Sequence, residues 1–240
     1  PDGPPLRTGY SLVDLFTGMM AYGAIVTALY ARESTGKGQY LEASLLEGQV
    51  AVMSYHATGY LATGRVPGRL GSGHPSLVPY QAFPSSDGFF IIGCGNDGLW
   101  RRLCPAIGRE DIMEDPKFVT NTKRVENRAE IVSLLSDHLL SKTTQEWVDI
   151  ITEAGVPCGP INRVSDVEVD PQVLARDMMI DLPHPEVPDL KLPGSPFKLY
   201  DNPATYRRPP PQHGQHTEEI LADLGYSKED VAQLRAEGVI

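Results

Sequence analysis

Asp14 is the residue whose type and position most directly suggest chemistry. It lies between residues 9–13 (GYSLV) and 15–18 (LFTG), where the chain turns into a helix rich in small residues. An Asp just before a helix is ordinarily an N-cap, whose carboxylate accepts a backbone N–H of the first turn. The same position can also hold a carboxylate ionised and oriented, as a carboxylate nucleophile requires. From this residue alone, both roles are open.

A glycine pattern at residues 93–98 (GCGNDG) satisfies G-x-G-x-x-G between a predicted strand and a predicted helix. A dinucleotide site also needs a βαβ unit and an acidic residue about 20 positions later, at the end of a second strand. Here the preceding strand belongs to a predicted hairpin, and no such acid follows. We therefore predict that this glycine pattern does not bind NAD.

Metal-binding and thiol chemistry have little support. His213 and His216 have ligand-like spacing, but no further Cys or His lies near them, so a helix-entry loop is the favoured interpretation. Cys94, Cys104 and Cys158 form no CxxC pair and are odd in number. This pattern favours a reducing compartment over a disulfide framework or a zinc site, and we predict no metal.

Composition bounds the remaining classes. The 240 residues are 41% hydrophobic and 22% charged, as expected of a globular protein, and the formal net charge is −10. Because Lys and Arg are dispersed, no nucleic-acid partner is predicted. No uninterrupted apolar run reaches about 18 residues, so no membrane partner is predicted. The start at PDGPP is typical of a loop inside a longer protein, which indicates a fragment.

The elements that must position Asp14 are predicted from periodicity. Residues 15–30 have helical spacing, and Gly36 suits the end of that helix. Residues 39–44 alternate as in a strand, and a second helix is predicted over 45–62. Helix, strand and helix in this order indicate the later part of a layered α/β domain.

A segment rich in Gly and Pro, residues 63–75, separates this part from a second one. Beyond it, residues 80–83 and 89–92 flank a turn and predict a β-hairpin. The patterns then predict helices over 99–107, 126–140 and 145–154, a short helix after Asp170, a Pro-rich extended segment over 182–211, and two final helices starting near 217 and 227. Ser227 and Asp230 give the last helix a capping-box pattern.

Several motifs together point to a family. They are residues 13–19 (VDLFTGM), 35–39 (TGKGQ), 155–161 (GVPCGPI) and 214–221 (GQHTEEIL), supported by 73–83 (GHPSLVPYQAF) and 120–128 (TNTKRVENR). In this order and spacing the chain resembles the class III CoA-transferases, which include formyl-CoA transferase and carnitine CoA-transferase. The resemblance is strongest to members of the succinyl-CoA:glutarate CoA-transferase type, and it extends over essentially the whole chain.

The resemblance implies an α/β fold, with part of a Rossmann-like large domain and a smaller α+β domain. Residues 1–64 would be the C-terminal part of the large CoA-binding domain, 65–79 a glycine-containing linker or lid, 80–198 the small domain, and 199–240 a return segment with C-terminal helices. Family members carry a further N-terminal part with most CoA-binding residues, which this sequence lacks. They are homodimers of interlocked subunits, so a homodimer is expected.

The resemblance also implies a site. Asp14 falls on the family's nucleophile, and the loop Gly71, Ser72, Gly73 and His74 falls on a glycine-rich loop that covers it, binds substrate and excludes water. The substrates would be an acyl-CoA thioester and a carboxylic acid acceptor of the dicarboxylic type. Transfer would run through an aspartyl anhydride and an aspartyl-CoA thioester, with no permanently bound cofactor and no metal. His74 either contacts a substrate carboxylate or packs the loop.

Two alternatives stay open. An acyl-CoA racemase of the same superfamily would pair the Asp with a His as acid and base. A non-catalytic assembly or CoA-sensing fragment would use neither residue chemically. The expected location is the cytoplasm, or the mitochondrial matrix in a eukaryote.

Overall fold

The computed structural model describes Gly3 and residues 6–240. The chain divides into two compact units, the first ending at Pro160 and the second beginning at Ile161. The domain limits expected from the family resemblance stay a prediction.

The first unit begins with three helices, α1 (Leu12–Thr35), α2 (Leu45–Val52) and α3 (Ser54–Thr63). As predicted, α1 ends at Gly36, whose φ of 68° lies in the left-handed region and whose N–H donates to the Arg32 carbonyl. The single helix predicted over 45–62 is wrong, because Ser54 takes a φ of 46° and divides it in two.

Residues 39–44 form no strand, so that prediction is also wrong. A strand is defined by its hydrogen-bonded neighbour, and within Gly3 and residues 6–240 none pairs with this segment. The alternating sequence of this segment does not by itself supply the partner strand that a β-strand requires.

Helix α1 is apolar on most of its surface and yet exposed. Only Thr17 is buried, whereas eight large apolar side chains are exposed: Leu15, Met19, Met20, Tyr22, Ile25, Val26, Leu29 and Tyr30. By length and composition alone, α1 could cross a membrane. The sequence has no uninterrupted apolar run of about 18 residues, but Gly, Ala and Thr extend the apolar stretch between the large residues of α1. Core helices of globular proteins have the same composition.

The predicted hairpin is confirmed. Strands β1 (Tyr80–Pro84) and β2 (Phe89–Gly93) pair antiparallel with Phe83 opposite Phe90, and β3 (Cys158–Pro160) adds to β2 to give the order β1-β2-β3. The strand before the glycine pattern of residues 93–98 thus belongs to a hairpin and not to a βαβ unit.

Helices α4 (Asp97–Ala106), α5 (Asn121–Glu126), α6 (Arg128–Leu139) and α7 (Thr144–Glu153) complete the first unit, with a 3₁₀ turn at Glu110–Ile112. They close a core with the sheet. Its largest fully buried apolar side chains are Trp100, Trp147, Phe83, Phe90, Phe118, Ile92, Leu103, Ile131, Leu135, Leu139 and Ile151.

The second unit contains α8 (Val164–Glu168), α9 (Pro171–Ala175), α10 (Thr217–Asp223) and α11 (Lys228–Ala236), with a small antiparallel pair of strands, β4 (Met179–Asp181) and β5 (Lys191–Pro193). Asp170 caps α9, and Ser227 and Asp230 form the predicted capping box of α11. Most of residues 182–211 is irregular, as predicted, apart from β5.

Candidate active site

Asp14 is the third residue of α1, because the helix begins at Leu12. The Leu15 N–H donates to the Ser11 carbonyl at 3.1 Å, so Ser11 holds the N-cap position, although its side chain makes no capping hydrogen bond. The N-cap interpretation of Asp14 is therefore wrong. The pattern Ser11-x-x-Asp14 is that of a capping box and could have indicated the earlier start.

The Asp14 carboxylate is exposed and uncommitted. None of the described residues donates a hydrogen bond to it or forms an ion pair with it. It lies in the first turn of α1, where unpaired backbone N–H groups and the helix dipole favour an anion. The predicted chemistry requires that water be excluded from Asp14, and these residues by themselves do not exclude it.

Thr17 lies one turn after Asp14, at the point where α1 crosses α2. A Cβ at Gly48 would overlap its hydroxyl oxygen, so the two helices approach closely only because residue 48 has no side chain. Thr17 Oγ1 is buried with no hydrogen-bond partner among the residues that the structure describes. The cavity of about 210 Å³ beside it is lined by both helices.

The Gly71–His74 loop is tied to β1 by its backbone. The Gly73 N–H donates to the Leu70 carbonyl at 3.0 Å, and the His74 N–H donates to the Tyr80 carbonyl at 2.9 Å. Ser72 Oγ accepts the Ala82 N–H at 3.1 Å. The loop is therefore an ordered turn with its Ser72 and His74 contacts on the hairpin.

His74 is half-buried, and its ring lies 5.4 Å from the ring of Tyr55 on α3 and 5.4 Å from that of Tyr80 on β1. Its Nδ1 accepts the Ser76 N–H at 3.2 Å. A neutral imidazole that accepts at Nδ1 carries its proton at Nε2. His74 thus has a donor available at Nε2.

A polar network fixes the chain after His74. Asn121 donates from Nδ2 to the Ser76 carbonyl at 2.8 Å, and its Oδ1 accepts the Val78 N–H at 3.1 Å. Arg124 is fully buried, donates from Nε to the Val78 carbonyl at 2.7 Å and forms an ion pair with Asp97 at 2.9 Å. This network accounts for part of the 120–128 motif and for Asp97 in the glycine pattern.

Sequence reasoning gave no role to Asn121, Arg124 or Arg128. Arg124 lies in α5 and Arg128 begins α6, so helical spacing does not group the two arginines. Their partners between His74 and Val78 lie more than 40 residues away in the sequence. Helical periodicity cannot specify such partners.

The thiols and histidines offer no competing centre. Burial raises the pKa of Cys94 to about 11 and that of Cys104 to about 12, so both remain protonated thiols at neutral pH. His216 Nδ1 lies 3.1 Å from a Glu219 carboxylate oxygen. Throughout the described part of the chain, no group of three or more metal-ligating side chains is found.

The structure does not bring all the predicted site residues into contact. Gly71, Ser72, Gly73 and His74 form one loop, but no hydrogen bond, ion pair or ring contact joins the loop to Asp14 among residues 3 and 6–240. Cavities of about 270 and 460 Å³ in the second unit contain none of the five predicted residues.

The first unit thus presents a free carboxylate on an apolar helix and an ordered loop carrying an imidazole donor. The sequence model of CoA-transferase family III matches residues 1–217, and the chain belongs to that family. It is 36% identical over 240 residues to the human succinyl-CoA:glutarate CoA-transferase, covering all of this chain and 55% of the human protein. It is 39% identical over 206 residues to the acetyl-CoA:oxalate CoA-transferase of Acetobacter aceti, covering 85% of this chain and 52% of that enzyme.

Among solved structures, a CAIB/BAIF family protein from Brucella suis is similar, with a TM-score of 0.77 and 37% identity. The similarity covers 93% of this chain and 58% of the Brucella protein. The predicted α/β class and the class III CoA-transferase fold are therefore confirmed. The chain spans about half the length of the curated relatives it matches.

Proposed function

We propose that the whole protein transfers coenzyme A from an acyl-CoA thioester to a free dicarboxylic acid, with Asp14 as the acyl carrier. The observation that carries this proposal is the uncommitted Asp14 carboxylate in the first turn of α1, in a chain that belongs to CoA-transferase family III. The names of the human and Acetobacter relatives, with glutarate and oxalate as substrates, support a dicarboxylic acid.

The chemistry follows from a carboxylate that is ionised at neutral pH. An Asp14 oxygen attacks the thioester carbonyl, the C–S bond breaks, and CoA leaves as a thiolate, a good leaving group, which gives a mixed anhydride. The CoA thiolate then attacks the Asp14 carbonyl carbon and displaces the donor acid, leaving an aspartyl-CoA thioester. No general base is needed for either step.

The acceptor acid completes the cycle. Its carboxylate attacks the aspartyl-CoA thioester and releases the CoA thiolate, forming a second anhydride. The thiolate then attacks the acceptor's carbonyl carbon, which gives the new acyl-CoA and frees Asp14. The acyl activation is conserved at every step, so no ATP or metal enters this scheme, and the CoA thioester is a substrate and not a resident cofactor.

The loop has two roles in this proposal. Because anhydrides hydrolyse readily, the site must be dry and must donate hydrogen bonds to developing oxyanions. Gly71–His74 would close over Asp14 together with other parts of the whole protein, and His74 would donate from Nε2 to a substrate carboxylate. A homodimer in a reducing compartment belongs to the same proposal.

The central experiment incubates the whole protein with succinyl-CoA and glutarate and measures products and the Asp14 peptide by mass spectrometry. We expect transfer, with an acyl or CoA adduct on Asp14 and no activity in Asp14→Asn. Glu33→Gln is the matched control, since it removes an exposed carboxylate from the same helix. Retained turnover in Asp14→Asn would remove Asp14 from the mechanism, and α-proton exchange without transfer would identify a racemase.

The loop is tested by Gly73→Val. A Cβ at Gly73 would lie 3.1 Å from the Leu70 carbonyl oxygen and 3.4 Å from Arg128 Nη1, so a branched side chain displaces the loop. We expect transfer to fall while the free energy of unfolding changes little. Gly68→Val is the control, because a Cβ there meets nothing within 4 Å. Equal transfer rates in the two variants would count against the loop's role.

A further inference from the structure

Arg128, the first residue of α6, reaches the Gly71–His74 loop. Its Nη2 donates to the His74 carbonyl at 2.8 Å and to the Pro75 carbonyl at 3.0 Å. One guanidinium nitrogen therefore holds two consecutive peptide carbonyls.

Helix stability does not explain this arginine. A cation in the first turn of a helix opposes the helix dipole, and partial burial lowers the pKa of the Arg128 guanidinium. No carboxylate among the described residues forms an ion pair with it. The loop carbonyls are the interactions that offset these costs.

The guanidinium also packs against Gly73, because a Cβ at that position would lie 3.4 Å from Nη1. Arg128 thus contacts the residue before His74 as well as the carbonyls of His74 and Pro75. A displacement of the guanidinium would be transmitted to the backbone that carries the imidazole.

We propose that Arg128 is a positioning residue, which holds the Gly71–His74 loop in the conformation that CoA transfer requires. The inference rests on the proposed function, because it assumes that the loop serves the transfer site. Arg128 itself touches no reacting atom in this scheme. It acts by keeping His74 Nε2 in a fixed position relative to the rest of the first unit.

The test compares Arg128→Gln and Arg128→Lys in the whole protein. Misplacement of a positioned group costs about 10- to 100-fold in rate, and we expect kcat of Arg128→Gln to fall within this range while KM for the acyl-CoA changes less. Arg128→Lys should recover part of the loss, because an ammonium can still reach one carbonyl. Arg102→Gln is the control, since Arg102 donates a single hydrogen bond to the Gly155 carbonyl at 3.1 Å.

Amide hydrogen exchange gives a second readout that does not depend on catalysis. In Arg128→Gln the Gly73 and His74 amides should exchange faster, whereas the amides of β2 should not change. Unchanged kcat in an active protein, or an equal fall in Arg102→Gln, would overturn the proposal. If the wild-type protein transfers no CoA, the proposed function fails. The contact between Arg128 and the loop is then tested separately, and unchanged exchange at the Gly73 and His74 amides in Arg128→Gln would refute it.

Discussion

Two regions of the first unit differ in how completely they bury their apolar residues. The region from β1 to α7 encloses Trp100, Trp147 and Phe90, each at most 2% exposed. Helices α1 to α3 are also apolar, but Met19 is 68% exposed and Leu61 is 81% exposed. The region from β1 to α7, to which the loop is hydrogen-bonded, has a closed core. The region that carries Asp14 has an apolar surface of the kind that proteins normally cover.

The largest effect on the free energy of unfolding is expected in the region from β1 to α7. Leu135→Ala removes a fully buried side chain from α6 and should lower the free energy of unfolding by about 2–5 kcal/mol. Leu140→Ala is the control, because Leu140 is half exposed at the end of the same helix. Urea unfolding of the whole protein measures both, and equal losses would show that the core is not closed.

Met19→Ala tests whether the apolar surface of α1 is covered in the whole protein. If the whole protein covers α1, as its composition indicates, this change should lower the free energy of unfolding by about 2 kcal/mol. A change below about 0.5 kcal/mol, typical of a surface position, would mean that the face stays exposed in the whole protein. The same urea titration decides between these results.

A smaller loss is expected at the crossing of α1 and α2. Gly48→Ala places a methyl group on Thr17 Oγ1 and should cost about 1–3 kcal/mol as an overpacked contact. In α3, Gly59→Ala meets nothing within 4 Å and should instead add about 0.5–1 kcal/mol through helix propensity. Thermal unfolding of both variants would contradict the close crossing if Gly48→Ala were also stabilising.

The smallest effect concerns acid stability at the hairpin turn. The Thr144 N–H, and then the Ser85 hydroxyl, lower the pKa of Asp87 below its ordinary 3.8. A lowered folded-state pKa gives stabilisation that is complete above the unfolded-state pKa and is lost as pH falls through the folded-state value. Asp87→Asn should therefore flatten the pH dependence of stability below about pH 4. A parallel profile in both proteins would remove Asp87 as the cause.

Local signals predicted the parts of the fold that depend on neighbouring residues. The hairpin, the end of α1 at Gly36 and the capping box at Ser227 are each specified within a few positions, and the structure confirms them. The strand at 39–44 was predicted wrongly because it depends on a partner that the described residues do not supply. The 45–62 helix was predicted wrongly because only Ser54 interrupts an otherwise helical pattern.

For the site, sequence reasoning found the candidate residues but not their support. Asp14 and the Gly71–His74 loop were singled out by motif. The hydrogen bonds that hold this loop to Arg128, and the chain just after it to Asn121, span more than 40 residues. Periodicity indicates which residues lie on the same face of a helix, but it does not indicate which distant residues that face contacts.

The attachment of Ser76 and Val78 to α5 has a consequence for motion. Asn121 forms hydrogen bonds with the residues on both sides of residue 77. The C-terminal end of the linker is therefore held in place at Ser76 and Val78. Ser72 and His74 are held on the hairpin as well, so any movement of the linker that admits a bulky thioester must come from the residues before Ser72.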